Sequence, residues 1–395
     1  MRTQSDSVRT SSELLGVFGI VLDRSGLDIQ EVFHELKRCV KPGGGNDNER
    51  KKLVVRSGDK ADLWIELEMK SLRKFVVLVY SISCLILLTR LQLNIVARRE
   101  YLDSSTRFEM EETLEKQYSI RNWFLKKLRF LKPVEVDNNS GFLDQRDKLQ
   151  TIQANEQAFL SLSWWLINKG WTQFDKLAEQ AISQEFSNIS PRDTIKFSEF
   201  NTKMRNVFNA LNSHMFTDDE EEVDKSNNNN FKTQLKSLLI PDDSILPTIF
   251  KQCLPTQTLT ILTDHNFDDT LLRMFIDETR RCIDSEATVL ILDSLVNESL
   301  KYAAPLLEGK VRDKLLKKKG KGKAKKQNGT STSSIKHNEP EASTTDTPEI
   351  ECEMGVYVVA LKDICNEFLY DSEYITRLNE VSTLEDLSVS VFGNF

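Results

Sequence analysis

Cysteine-pairing motifs are missing from this 395-residue sequence: Cys39, Cys84, Cys253, Cys282, Cys352 and Cys365 form no CxxC and no short-spaced set. With only four histidines, none at ligand spacing, no structural zinc site is expected. Scattered cysteines without a framework point to reduced thiols and a cytosolic folded part. Glycine (15) and proline (9) are scarce, and neither occurs from Asp59 to Lys132. So long a stretch without breakers favours long helices. No alternating segment bounded by turn residues stands out, so the expected class is all-α. No apolar run reaches the roughly 20 residues of a membrane-spanning helix. The longest, Phe75 to Thr89, has fifteen, and it contains Tyr80, Ser81, Ser83 and Thr89. It reads as a buried core helix. The polar start, Met1 to Ser12, lacks the apolar core of a signal peptide.

Motifs of chemistry are equally sparse. There is no GxSxG elbow, no Walker A pattern and no HExxH. The glycines of Pro42-Gly43-Gly44-Gly45 follow a helical pattern and precede no Lys-Ser/Thr, so they read as a linker and not a phosphate cradle. Asp218 and Asp219 sit in a low-complexity tract that would not shift their pKa. His34 reads as a surface or core-edge side chain, and Asp193, after Pro191, as a helix-start signal. No catalytic residue, metal or cofactor is expected, and the protein reads as something other than an enzyme.

What is present is charge, unevenly spread. Hydrophobic residues at 39% and charged residues at 29% fit a globular protein with polar insertions. The net charge is -7, yet Lys310 to Lys326 holds ten basic residues and one acid, Asp313. Elsewhere 43 basic residues face 59 acidic ones, about -16. An acidic body with one basic tract argues against nucleic acid as a partner. A solvated loop is the plain reading of the tract; attraction to acidic lipids is the sharper one.

Several helices can be placed. Ser25-Gly26-Leu27-Asp28 opens an amphipathic one in which Ile29, Val32, Phe33, Leu36 and Val40 share a face. A long central helix is expected from Lys60 to about Ser104, after start signals at Ser57-Gly58-Asp59. Others are expected at Asn155–Asn168 (closed by Lys169-Gly170), Trp171–Phe186, Thr194–Met215, Asp268–Asp284, Glu286–Leu307, Met354–Tyr370 and Leu384–Phe392. Residues 41–58, 134–150, 217–230 and 310–350 are polar, Gly-, Asn- or Lys-rich and read as linkers or insertions within a single domain spanning 1–395.

The start of the long helix has two apolar sides. Ile65, Met69, Leu72 and Val76 make one stripe, the expected core face. Lys60, Leu63, Trp64, Leu67 and Ser71 fall on the other side. Either another part of the domain covers that second face, or a partner does. A Trp anchor with the rim charge of Lys60 suits a groove that takes an amphipathic helix.

Four segments carry a family resemblance: KADLWIELEMKS (Lys60 to Ser71), SCLILLTRLQLNI (Ser83 to Ile95), EYLDSS (Glu100 to Ser105) and NEQAFLSLSWWLINKGW (Asn155 to Trp171). With the terminal LEDLSVSVFGNF (Leu384 to Phe395), they resemble the yeast form of the peroxisomal biogenesis factor 3 (peroxin-3) family. The resemblance implies an elongated helical bundle around one long helix, facing the cytosol at the peroxisomal membrane. It implies docking of peroxin-19, the receptor for new peroxisomal membrane proteins, through that receptor's N-terminal amphipathic helix. Trp64 would be the aromatic anchor, Leu67 part of the apolar wall and Lys60 a rim charge, with Leu63 on the same face. Leu36 and Lys37 match the preceding helix, and Lys362, in ALKDIC, matches a basic rim position that could equally be an ordinary solvated lysine.

Family members begin with a basic segment and a transmembrane helix ahead of this domain, so the upstream reading frame is expected to encode about 20 apolar residues. A different function within the family is a structural tether holding inheritance or pexophagy factors at the peroxisome surface. A chromatin protein driven by the lysine tract would predict steep salt-dependent DNA binding, against which the acidic remainder speaks.

Overall fold

A computed structural model describes residues 2–40, 57–107, 140–216, 233–265, 267–324 and 349–393. Its axle is α3, Ser57–Arg107, 51 residues long and on the order of 76 Å at 1.5 Å per residue. It extends the expected helix by three residues at each end. Every residue from Lys74 to Val96 is buried. The most apolar stretch of α3 would satisfy a membrane span by length and composition, yet all of it is covered by other helices.

Burying that stretch requires its polar groups to find partners. Ser83 Oγ donates to the Val79 carbonyl (2.8 Å). Gln92 Nε2 donates to the Phe159 carbonyl (2.7 Å), and its Oε1 accepts from Ser163 Oγ (2.8 Å). Arg90 donates to the Asn379 carbonyl (3.1 Å), and Lys74 pairs with Asp23 (2.5 Å).

Around this axle pack α1 (Arg2–Leu22), α2 (Ile29–Val40), α4 (Ser140–Leu160) and α5 (Trp171–Phe186), with α6 (Phe197–Phe216) against α5 and α7 (Thr233–Leu239) against α6. Further along come α8 (Leu246–Cys253), α9 (Thr256–Leu262), α10 (Thr270–Ile283), α11 (Glu286–Ala324), α12 (Met354–Phe368), α13 (Ser372–Asn379) and α14 (Ser382–Gly393). Aromatic rings tie the layers together. Phe75 meets Phe208 of α6 and Phe368 of α12, and Tyr80 meets Phe174 of α5 and Phe208.

Several expectations need correction. A helix outside the expected set, α1, opens the described chain: Leu15, Phe18 and Leu22, at i, i+3 and i+7, are buried, and Ser7 Oγ donates to Asn379 Oδ1 (2.8 Å). Thr194–Lys196 begins no helix. It forms strand β1, antiparallel to β2 (Glu351–Glu353), with Ile195 opposite Cys352 and both turned inward. Asp193 accordingly starts no helix; its Oδ2 accepts from the Ser190 N–H (2.7 Å) and its carbonyl from the Met354 N–H (2.8 Å).

Lys169-Gly170 does not end a helix either. A short turn at Ser163–Trp165 and a π-helical turn at Leu166–Gly170 lead straight into α5. A Cβ on Gly170 would lie 2.3 Å from the Leu238 carbonyl oxygen, so the glycine serves the approach of α7. Parts of the expected linkers are also helical, namely 57–58 in α3, 140–150 in α4 and 310–324 in α11. The remainder of 41–58, 134–150, 217–230 and 310–350 lies outside the described residues, apart from Glu349 and Ile350 beside β2.

Candidate docking surface

Three helices converge at one end of the bundle. α3 and α12 run parallel, since Trp64 lies beside Gly355 and Phe75 beside Phe368. α2 lies against α3, with Asp23, just before it, paired to Lys74.

Along the first turns of α3, Lys60, Trp64, Leu67 and Ser71 share a stripe at helical spacing. Lys60 and Trp64 are half-buried, while Leu67 and Ser71 are fully enclosed. The stripe thus descends from the surface into the core. Ile65, expected on the core face, is 56% exposed, and Met69 is only half-buried, whereas Leu72 and Val76 are buried as expected. The inward direction of the first two turns is therefore rotated toward Leu67.

Trp64 rests on Gly355. A Cβ there would lie 3.4 Å from Trp64 Cζ3 and 3.2 Å from the Pro191 carbonyl oxygen, which accepts the Gly355 N–H (2.8 Å). Glycine thus lets the indole approach the α12 backbone. Val359 and Lys362 follow Gly355 at i+4 and i+7 on the same face of α12.

Lys362 is held tightly for a lysine. Its Nζ lies 4.7 Å from the centre of the Phe33 ring, 3.4 Å from Gln30 Oε1 and 3.4 Å from Asp363 Oδ1. Lys37 brings a second ammonium to the same ring at 4.4 Å. Each such cation–ring contact is worth about 0.5–1 kcal/mol near a surface. Lys37 is exposed, while Leu36, one residue earlier, is buried against the core. Leu63 is half-buried beside Trp64.

The structure thus brings Lys37 and Lys362 together on one ring, and Trp64 to the same face of α12 as Lys362. Leu36 and Leu67 support this face from beneath. Sequence reasoning missed Phe33 as the hub, since it reads as an ordinary core position of α2. It also missed Gly355, where a glycine at the second position of an otherwise apolar helix was the available signal.

One buried acid underlies the site. Glu68, one turn past Trp64, is 7% exposed, and burial, reinforced by the charge of Asp193, pushes its carboxyl up to about 7. Among the described residues no group of His, Cys, Asp or Glu could hold a metal ion. Burial pushes the Cys365 thiol up to about 12 and the Cys84 thiol higher still, which suits packing. A shallow hollow lined by Phe75, Phe200, Met204, Leu307 and Leu361 lies between α6, α11 and α12, apart from Trp64.

These features define an all-helical scaffold with a half-buried tryptophan at one end of its long central helix. A family profile described as Peroxin-3 matches residues 34–394. Peroxisomal biogenesis factor 3 of Eremothecium gossypii is 34% identical over all of this chain and 86% of its own length. Its namesake in Saccharomyces cerevisiae is 34% identical over all of this chain and 83% of its own length. Peroxisomal membrane protein PEX3 of Komagataella pastoris is 28% identical over 56% of this chain and half of its own. The chain belongs to the peroxin-3 family. It is a peroxisome biogenesis factor of the peroxisomal membrane and not an enzyme.

Proposed function

We propose that the face formed by α2, the start of α3 and α12 docks the N-terminal amphipathic helix of peroxin-19, and so serves insertion of proteins into the peroxisomal membrane. The observation that carries this reading is Trp64, a large aromatic side chain left half-buried on a glycine platform. Exposed Ile65 adjoins it, and the ammonium groups of Lys37 and Lys362 cluster on the same side of the bundle. A partner helix would cover the open side of the indole and of Leu63, while Lys60 and Lys37 meet acids at its edges; Lys362, only 8% exposed, is neither a rim charge nor a solvated lysine and instead holds the Phe33 ring. Leu67 and Leu36 are buried and lie beneath this surface, not on it.

Truncating a buried aromatic hot spot costs about 2 kcal/mol or more, a factor of about 30. Trp64→Ala should therefore weaken binding of a peptide spanning that peroxin-19 helix by about 30-fold in calorimetric titration. Unchanged affinity, with helical content retained, would overturn the assignment of the site.

A further inference from the structure

The hollow between α6, α11 and α12 is a second recess on the flank of the bundle, with a volume of about 60 Å³. Phe75, in its lining, stands eleven residues along α3 from Trp64, about 16 Å at 1.5 Å per residue. Phe75, Phe200, Met204, Leu361 and Ile364 give it a buried apolar floor. Ala303 and Ala304 of α11 line it between the larger Leu300 and Leu307. A close-packed interior would fill such a gap. Here two methyl side chains leave it open toward the surface, where Leu300 and Ala304 are half-buried. The volume is several times what one water needs. It admits one aliphatic side chain and is too small for the apolar face of a helix.

The mouth carries one charge, Arg205, exposed and in no ion pair among the described residues. Its neighbours one turn away on α6 are Asn201, Thr202, Phe208 and Asn209, none of them acidic. The acids that flank the hollow along α11 are already engaged. Glu298 pairs with Arg377 (2.6 Å) and Glu308 with Arg312 (2.7 Å). On α12, Asp363, one residue before Ile364, pairs with Lys314 (2.5 Å). A guanidinium without a carboxylate therefore stands beside an apolar hole, with Asn201 as a further polar group on the same helix.

We propose that this hollow docks a partner peptide by one aliphatic side chain, with an acidic residue next to it meeting Arg205. Volume limits the apolar part to a single side chain, and the charge left unmatched at the mouth selects an acid. An acidic side chain reaches outward, to where the guanidinium is exposed, better than a chain-end carboxylate on the inserted residue itself. The hollow lies apart from the Trp64 face, so the two are free to hold different partners and neither needs the other.

The full chain, methyl-labelled for nuclear magnetic resonance, is titrated with three blocked dipeptides: leucine–aspartate, leucine–asparagine and alanine–aspartate. Leucine–aspartate should shift the methyl signals of Met204, Leu361 and Ile364 with a millimolar Kd, about fivefold tighter than leucine–asparagine at low salt. Alanine–aspartate should leave those signals in place. Arg205→Gln, at an exposed position that leaves the fold intact, should lower leucine–aspartate to the level of leucine–asparagine. Ala304→Phe should fill the hollow and abolish both. Equal binding of the alanine and leucine peptides, a charge preference that survives Arg205→Gln, or no shift at about 20 mM peptide would each overturn the proposal. Tighter binding of N-acetyl-leucine, whose carboxylate is on the leucine itself, would replace the acidic neighbour with a chain end. Tighter binding of decanoate would replace the peptide with an acyl chain.

Discussion

Trp64 and Glu68 stand one turn apart on α3, the first against Gly355 and the second near Asp193 in the loop that joins α5 to β1. The indole is accommodated because Gly355 has no side chain. The carboxyl of Glu68 is accommodated at a cost, because burial and nearby Asp193 both oppose its charge. Its folded-state value of about 7 stands above the ordinary 4.5, so folding takes up a proton between those values. The contribution to stability is complete below about 4.5 and is lost as pH rises through about 7. Glu68→Gln should flatten that slope and raise stability at about pH 8 by on the order of 1 kcal/mol, allowing for solvent screening. Urea midpoints compared at about pH 5 and pH 8 check this, and equal slopes in the two proteins would refute it. Trp64 and Lys60 were recognisable from helical spacing, Lys37 and Lys362 only from the family resemblance. The acid was not, because its environment comes from a loop more than a hundred residues away.

Helix boundaries depended on how local their causes were. α3 could be placed to within three residues because a breaker-free run between polar ends is a local property. α1 escaped notice because Ser and Thr between Leu15, Phe18 and Leu22 and the chain start dilute the apolar period. β1 escaped because three residues carry no readable alternation, and its partner strand comes about 150 positions later. α11 runs through Pro305 to Ala324, well past the expected stop at Leu307. Its later turns are fixed by lysine–acid pairs to α12 and β2 that no local pattern reveals.

Gly170 makes the same point. It looks like a helix stop, yet it is a close-approach position beside Leu238. Gly170→Ala should cost about 1–3 kcal/mol, as overpacking does. Denaturant unfolding measures this, and a change below a few tenths would show that α7 can simply shift away.

Taken whole, the molecule is built around one helix that nearly every other layer touches. With Lys74 to Val96 buried throughout, most of the described helices pack directly on α3. Leu85, 1% exposed at its middle, should therefore report on the entire fold. Leu85→Ala is expected to cost about 2–5 kcal/mol, lowering the midpoints seen by far-ultraviolet circular dichroism and by tryptophan fluorescence equally. Separate midpoints for the two signals would mean that the Trp64 end melts on its own.

The order of residues was enough to establish an all-helical chain, its long apolar axle and a tryptophan-bearing turn with two apolar sides. Those are properties of periodicity and local composition, which act within a few turns of chain. Which side faces inward was settled by packing: α12, nearly 300 positions away in sequence, meets α3 at Trp64, and Leu67 is buried while Ile65 stays open. Tertiary contact likewise gathered Lys37 and Lys362 on Phe33. Burial and charge pairing join residues distant along the chain, and a helical period carries no record of its neighbours.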